Sequence, residues 1–224
     1  MTGKPFILST KVISDTHREM LHSNGIEWIE KDFISIQFTQ ASLLSVKSCT
    51  VVLITSKNAV RSLIQFNQTA TLKGKVIYCV GESIEKLLKG HQITVTQSFE
   101  NALQMGLFMI SQKENNISIL CGNRSRPELP NILNDHHISF TQEITYISEL
   151  TPTKRTENFN AILFFCPSAV ESYISKNAIK QEKIICIGQT TLASIQPYSK
   201  NIYVADNHRI SSVIQKTIDL FQNT

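Results

Sequence analysis

Small polar turns follow the apolar runs of this chain, and they carry most of the residues that could bind a ligand. The five turns are Thr55-Ser56-Lys57-Asn58, Gly81-Glu82-Ser83, Gly122-Asn123-Arg124, Cys166-Pro167-Ser168 and Gly188-Gln189-Thr190-Thr191. Hydroxyl, amide and backbone N–H groups at helix starts are donors, and the positive end of the helix dipole favours anions. The turns therefore suit an anionic ligand, although Ser, Thr and Asn also occur there as helix caps and the two roles are compatible.

Two other groups carry reactive side chains. Asp135, His136 and His137 could suggest a metal site, but neighbouring side chains on a helix end point apart and no second ligand pair accompanies them. A solvated helix terminus is the simpler interpretation. Cys166 could be a nucleophile at a strand end, although no partner base is identified. No G-x-G-x-x-G after a strand, no P-loop and no G-x-S-x-G elbow is present, which argues against the corresponding nucleotide and hydrolase chemistries.

The elements that would position these turns are short apolar strands alternating with helical patterns. This alternation is typical of βα units around parallel sheets, whose ligands bind beyond the carboxyl ends of the strands. The sequence predicts strands near 6–9, 50–55, 75–80, 93–97, 117–121, 160–165, 183–187 and 201–204, and helices near 14–23, 58–68, 82–89, 100–112, 127–135, 168–176, 190–196 and 210–221.

Two stretches alternate for longer than the usual strand of about five or six residues. They lie at 26–38 and 140–149, and each is expected to form one long strand. They predict a two-stranded linker at about 30–38 and 140–149, with residues 39–142 forming a domain inserted into another made of 1–36 and 150–224. Alternation places Tyr146 on the same face as Ile144 and Ser148.

An internal repeat supports two similar halves. Residues 51–60 resemble 161–170 and residues 75–83 resemble 183–191, with Ala59 and Ala169 110 positions apart and Gly81 and Gly188 107 apart. Chance likeness between βαβ segments is the alternative. If both halves bind one ligand, it should lie in a cleft between the two domains.

Composition and charge limit the class of protein. The chain has 224 residues, 42% of them apolar and 18% charged, as expected of a soluble globular protein with a core. No apolar run approaches the roughly 20 residues of a membrane span, and the N-terminal residues lack signal-peptide features, so we expect a cytoplasmic protein. Five cysteines without C-x-x-C spacing are expected to be reduced core residues. The net charge of +4 is spread along the chain, which suits a small anion better than a nucleic acid.

The motifs and their order resemble the uroporphyrinogen-III synthase family over about residues 6–221. The resemblance rests on Thr55-Ser56-x-Asn58-Ala59-Val60, Val80-Gly81, Leu120-x-Gly122, Tyr146, Pro167-Ser168-Ala169-Val170 and Ile187-Gly188-Gln189-Thr190-Thr191. It implies an α/β fold with two flavodoxin-like parallel-sheet domains joined by a two-stranded β linker, the second domain being inserted into the first.

The implied function is that of a lyase of heme biosynthesis. Such an enzyme takes hydroxymethylbilane, a linear tetrapyrrole with eight carboxylates, removes water and closes the macrocycle with inversion of ring D to give uroporphyrinogen III. The resemblance implies no metal and no organic cofactor. We also expect a monomer that receives its substrate by transient transfer from hydroxymethylbilane synthase, with no nucleic-acid or membrane partner.

The resemblance also implies roles for individual residues. Tyr146 takes the place of the acid for hydroxyl departure, with an ordinary packed strand aromatic as the alternative. The expected substrate-binding residues are Lys11, Thr55, Ser56, Gly81, Glu82, Ser83, Gly122, Cys166, Ser168, Gly188, Gln189, Thr190 and Thr191. Three departures from the family pattern are Lys11 in place of an arginine, Cys166 in place of a common serine, and Lys31-Asp32-Phe33 in place of a proline-containing turn.

The rival hypothesis is a non-catalytic two-domain module that closes on a small anionic ligand. It would use the same turns, and turnover of hydroxymethylbilane distinguishes the two.

Overall fold

The computed structural model describes residues 3–222 and divides the chain into two compact units. Unit 1 ends at Ser35 and resumes at Glu149, and unit 2 is the continuous segment Ile36–Ser148. Residues 1–2 and 223–224, which the predicted domain of 1–36 and 150–224 includes, lie outside the described residues.

Unit 1 is built on a five-stranded sheet. Its elements are β1 (Phe6–Ser9), α1 (Asp15–Ser23), β2 (Glu27–Glu30), β9 (Ala161–Phe164), α7 (Pro167–Ile174), β10 (Lys183–Cys186), α8 (Gln189–Ile195), β11 (Ile202–Val204) and α9 (Ile210–Gln222). The strand order is β2-β1-β9-β10-β11, and every neighbouring pair is parallel. Ile7 packs with α1 and α9 and Leu8 with α7 and α8, because successive strand residues face opposite sides.

Unit 2 is built on a six-stranded sheet. Its elements are β3 (Ile34–Phe38), α2 (Leu44–Ser48), β4 (Val51–Ile54), α3 (Lys57–Gln65), a 3₁₀ turn (Thr69–Leu72), β5 (Val76–Val80), α4 (Glu82–Gly90), β6 (Gln97–Phe99), α5 (Ala102–Gln112), β7 (Ile117–Gly122), α6 (Glu128–Asp135) and β8 (Phe140–Leu150). The order is β3-β8-β7-β4-β5-β6, with parallel pairing from β8 to β6. Val52 packs with α3 and α4, and Leu53 with α5 and α6. The prediction of an α/β fold with parallel sheets is confirmed.

The two sheets have equivalent strand positions, but the chain fills those positions in a different order in each sheet. β9, β10 and β11 occupy in unit 1 the positions that β4, β5 and β6 occupy in unit 2, while β1 and β2 correspond to β7 and β8. The repeated sequences at 51–60 and 161–170 therefore occupy equivalent positions, as do those at 75–83 and 183–191. This agreement favours a true repeat over chance likeness.

The prediction of one long strand over 26–38 is wrong. The chain forms β2 and β3 instead, and these strands belong to different sheets. The break lies at Phe33, whose side chain is fully buried with Leu8 and Tyr173 in unit 1. The backbone N–H of Phe33 donates to Thr10 O at 3.3 Å, and its carbonyl accepts from Thr151 N at 3.0 Å. Burial of an aromatic side chain between the two alternating stretches thus separates them.

Each larger helix buries one face on its sheet. α3, for example, buries Ala59, Val60 and Leu63 and exposes Arg61. The sequence did not predict α2, and the strand expected near 93–97 lies instead at Gln97–Phe99. Within residues 3–222, no helix combines the length and the apolar content that crossing a membrane would require.

Candidate active site

Three of the predicted site residues meet at the carboxyl end of β7. The Tyr146 hydroxyl lies 3.0 Å from Ser56 Oγ. The tyrosine ring covers the Cα of Gly122, where a Cβ would come within 2.5 Å of Cε2 and 2.9 Å of Cε1. Ser56 is the N-cap of α3 and accepts a hydrogen bond from Asn58 N at 3.2 Å. The phenol is therefore fixed by a glycine below its ring and a helix cap beside its hydroxyl.

A β-bulge in β8 determines which side of the sheet Tyr146 faces. Cys121 pairs with Ile144 and Gly122 pairs with Tyr146, so Thr145 is an extra residue in β8. Cys121 and Gly122 face opposite sides of the sheet, so their partners Ile144 and Tyr146 also face opposite sides. The prediction that Tyr146 shares a face with Ile144 is therefore wrong, because one inserted residue reverses the alternation. Tyr146 packs instead on the side of α3 and α4.

Asn123 holds the bulged strand in place. Its Oδ1 accepts from Ser148 N at 2.8 Å, its Nδ2 donates to Ser148 O at 3.4 Å, and its backbone N–H donates to Tyr146 O at 3.3 Å. In the sequence, Asn123 is one member of the turn Gly122-Asn123-Arg124 and has no role of its own. The only signal was an asparagine directly after a glycine at a strand end, which also fits an ordinary turn.

The environment of Tyr146 favours a proton donor. Burial raises the pKa of the phenol, and the nearby Ser56 hydroxyl lowers it by a smaller amount. The hydroxyl thus stays protonated at neutral pH. Because Ser56 Oγ already accepts from Asn58 N, the Ser56 hydroxyl hydrogen can be given to the phenol oxygen. That arrangement leaves the phenol O–H to donate to a ligand.

The remaining predicted residues of unit 2 flank this group. Gly81, the N-cap of α4, has φ +90°, and its N–H donates to Phe99 O at 2.8 Å. Glu82 and Ser83 are exposed in the first turn of α4, where Glu82 forms an ion pair with Lys86 at 2.6 Å. Thr55 is half-buried directly after β4. Glu82 offers acceptors, so its carboxylate is poorly suited to an anionic ligand.

In unit 1 the predicted residues lie at the carboxyl ends of β1, β9 and β10. Lys11 is exposed, and Cys166 and Ser168 are half-buried at the start of α7. The turn before α8 is of mixed accessibility. Gln189 and Thr190 are exposed, whereas Gly188 is buried and Thr191 is only 1% exposed.

The other cysteines are core residues, and the histidine pair lies at a helix end. The thiols of Cys49, Cys79, Cys121 and Cys186 are free and buried, as expected of core residues. His136 and His137 are exposed at the end of α6, as expected of a solvated terminus. Among the residues that the structure describes, no three His, Cys, Asp or Glu side chains are grouped closely enough to hold a metal ion.

The sequence matches the family model of uroporphyrinogen-III synthase HemD over residues 15–215. The match covers most of the chain. The chain belongs to the uroporphyrinogen-III synthase family. The resemblance seen in the motif order is confirmed, and with it an enzyme of heme biosynthesis that acts on a small tetrapyrrole substrate.

Solved structures of this family share the fold. Uroporphyrinogen-III synthetase from Helicobacter pylori 26695 superposes with a TM-score of 0.72 at 19% identity, covering 96% of this chain and 99% of that one. A mutant uroporphyrinogen III synthase from the extremely thermophilic bacterium Thermus thermophilus also gives 0.72, at 12% identity, covering 98% and 100%. The wild-type Thermus enzyme in a second crystal form gives 0.54 at 13% identity, covering 98% of each chain. No curated protein gives a significant sequence match.

Proposed function

We propose that this chain is a lyase that converts hydroxymethylbilane to uroporphyrinogen III by dehydrative cyclisation with inversion of ring D. Membership of the family supports this assignment. The observation that carries it at the level of residues is the Tyr146 phenol, held by Ser56 over Gly122 at the carboxyl end of β7.

Recognition of the substrate is spread over many donors. Eight carboxylates require many hydrogen-bond donors, which the helix starts at Ser56, Gly81 and Cys166 supply as backbone N–H groups. The Lys11 side chain adds an exposed cation. The net charge of +4 also favours the approach of an octacarboxylate. We include Ser83, Ser168, Gln189 and Thr190 as further contacts, since they lie in the same turns.

Tyr146 acts in the first chemical step of the proposed reaction. Its O–H donates a proton as the carbon–oxygen bond of the hydroxymethyl group breaks, and water leaves while the pyrrole nitrogen supplies the electron pair. The resulting azafulvenium carbon is attacked by the substituted α-carbon of ring D, giving a spiro intermediate. The bond between that α-carbon and the methylene bridge to ring C then breaks, and the bridge carbon bonds instead to the unsubstituted α-carbon of ring D. The hydrogen of that carbon leaves as a proton, which restores the Tyr146 hydroxyl. One water is lost and the protons balance.

Positioning supplies the selectivity. Hydroxymethylbilane in solution closes without inversion, so the enzyme must hold the conformation that presents the substituted carbon to the reactive methylene. A fixed tyrosine helps, since it accelerates the departure of water only where the hydroxymethyl group is correctly placed.

The proposal includes the cellular setting. Five free thiols are the state that a reducing compartment maintains, which supports a cytoplasmic enzyme. We propose that it works as a monomer and receives hydroxymethylbilane directly from hydroxymethylbilane synthase, which would limit spontaneous closure to the type I isomer.

An isomer assay tests the function. Purified protein is incubated with freshly prepared hydroxymethylbilane, the product is oxidised, and type I and type III uroporphyrins are separated. We expect the type III isomer, with type I from a parallel incubation without protein. Type I product alone, at every protein concentration, would contradict the proposal.

A further inference from the structure

A histidine that no sequence motif marks covers the Gly188 turn of unit 1. His208 lies between β11 and α9. A Cβ at Gly188 would lie 2.5 Å from its Nε2 and 2.6 Å from its Cδ2. Gly188 has φ −179° and ψ 177°, an extended conformation that any residue adopts. The close imidazole, and not the backbone conformation, therefore distinguishes position 188, and a Cβ there would have to displace the ring.

The equivalent turn of unit 2 has no such ring. At Gly81 nothing lies within 4 Å of the Cβ position, and φ of +90° is the reason for glycine there. The connections explain the difference. In unit 1 the segment 205–209 joins β11 to α9, whereas in unit 2 only residues 100–101 join β6 to α5. The longer connection brings His208 over its turn.

The orientation of the ring leaves one nitrogen accessible. The Nε2–Cδ2 edge faces Gly188, and Nδ1 is the ring atom opposite that edge. His208 is exposed, and within residues 3–222 its side chain has no hydrogen-bond or ion-pair partner. The carboxylate of Asp206, two residues before His208 in the chain, lies 3.6 Å from Lys216 Nζ. Since Asp206 has its own cation, the imidazole remains available for an external anion.

We propose that His208 binds a carboxylate of the linear tetrapyrrole through Nδ1 and so positions the substrate at the carboxyl edge of the unit 1 sheet. This inference rests on the proposed function, which supplies the carboxylates. An imidazole with a proton on Nδ1 donates a hydrogen bond to a carboxylate, and a doubly protonated ring adds a positive charge. His208 takes no part in bond breaking and acts through binding alone.

Variants at His208 test the inference. His208→Phe keeps a ring over Gly188 and removes the donor, while His208→Gln keeps a donor. Steady-state turnover of hydroxymethylbilane gives KM and kcat, and equilibrium binding of uroporphyrinogen III under reducing conditions gives Kd. We expect His208→Phe to raise KM and Kd by about tenfold, in line with one hydrogen bond to a charged group, with kcat within about twofold. His208→Gln should recover part of the loss.

His91→Phe is the matched control. His91 is also exposed and follows a helix, but it lies at the far end of α4 from Gly81. This variant should leave KM and Kd unchanged.

The binding measurement separates the two proposals. If the wild-type protein forms only type I product, the proposed function fails, while the ratio of Kd values for His208→Phe and wild type still decides the role of the histidine. Equal Kd values, or a fall in kcat at unchanged Kd, would overturn the inference. Absence of any uroporphyrinogen binding by the wild type would overturn both.

Discussion

The two sheets each place a ring over a glycine at their carboxyl edge, but they hold it differently. In unit 2, Tyr146 extends from a strand, is half-buried, and is fixed through Ser56 and Asn123. In unit 1, His208 extends from an exposed connection and has no partner among the described residues. A fixed donor suits bond breaking, where a small displacement of the donor lowers the rate. An adjustable donor suits binding of a flexible carboxylate side chain of the substrate. The two edges thus suit different tasks.

The largest effect is expected from Gly122→Ala. The new methyl group meets the body of the Tyr146 ring, and Asn123 holds the strand that carries it, so neither side yields easily. Overpacking should lower the free energy of unfolding by about 1–3 kcal/mol and displace the phenol. Formation of uroporphyrinogen III should fall by more than about 10², as loss of a positioned acid allows.

Gly90→Ala is the control for that variant. Gly90 ends α4, and no atom lies within 4 Å of its Cβ position. Turnover should match that of the wild type, and the melting temperature should be equal or slightly higher, because alanine is the better helix residue. If Gly122→Ala behaves in the same way, Tyr146 is not fixed and the contrast between the two edges disappears.

Tyr146→Phe should have the next largest effect. It keeps the ring on Gly122 and removes only the donor, so turnover should fall by about 10² while Kd for uroporphyrinogen III and the melting temperature hold. Tyr198→Phe, at a tyrosine with 52% exposure in unit 1, is the control.

Because burial raises the pKa of Tyr146 above its ordinary value of 10.0, the advantage of wild type over Tyr146→Phe should persist at lower pH and be lost only as pH rises above about 10. Unchanged turnover would reduce Tyr146 to a packing residue.

The glycines of the equivalent turns should respond differently to alanine. Gly188→Ala should displace His208 and raise KM by about tenfold, as loss of that hydrogen bond would. Adding Gly188→Ala to His208→Ala should then raise KM no further.

Gly81→Ala instead places a Cβ on a backbone with φ +90° and should cost about 1–2 kcal/mol of stability, with or without His208. Melting curves and KM values for the single and double variants check both statements. Fully additive effects of Gly188→Ala and His208→Ala on KM would show that the ring and the glycine act independently.

The smallest effect is expected from Ser56→Ala. It removes one N-cap and one hydrogen bond to the phenol, so we expect a loss of about 1 kcal/mol in stability and at most about tenfold in catalytic efficiency. Asn101→Ala removes the matching cap of α5, where Asn101 Oδ1 accepts from Gln104 N at 2.9 Å. It should cost similar stability and leave turnover intact. Equal catalytic losses in the two variants would mean that Ser56 acts only as a cap.

The sequence predicted the features that depend on local pattern. Apolar runs followed by helical periodicity located most elements, and strand ends identified the turn around Ser56 and that around Gly122. Their meeting with Tyr146 depended on a bulge at Thr145, which alternation cannot reveal because no residue type marks it. The family resemblance pointed to Tyr146, whereas simple periodicity gave the wrong face.

His208 and the strand break at Phe33 escaped prediction for a related reason. His208 lies in a polar connection without periodicity, and its contact with Gly188 joins positions that only the tertiary fold brings together. Phe33 follows three charged residues in the break between β2 and β3, and its burial against Leu8 and Tyr173 is a contact that only the tertiary fold shows. A glycine at a strand end marked both turns, but the physical reason differs: a positive φ at Gly81 and the close His208 ring at Gly188.

The order in which the chain fills the strand positions differs between the two sheets, and this difference affects folding during synthesis. Unit 2 is continuous in sequence, so all of its strand pairs are available once the end of β8 has left the ribosome. The sheet of unit 1 cannot assemble then, because β1 must pair with β9, with Ile7 opposite Ala161. We therefore expect β1 and β2 to leave the ribosome before unit 2 and to pair with β9 only after unit 2 has been synthesised. In the interval their apolar edges are exposed in the nascent chain, which makes this N-terminal segment the natural target of a ribosome-associated chaperone.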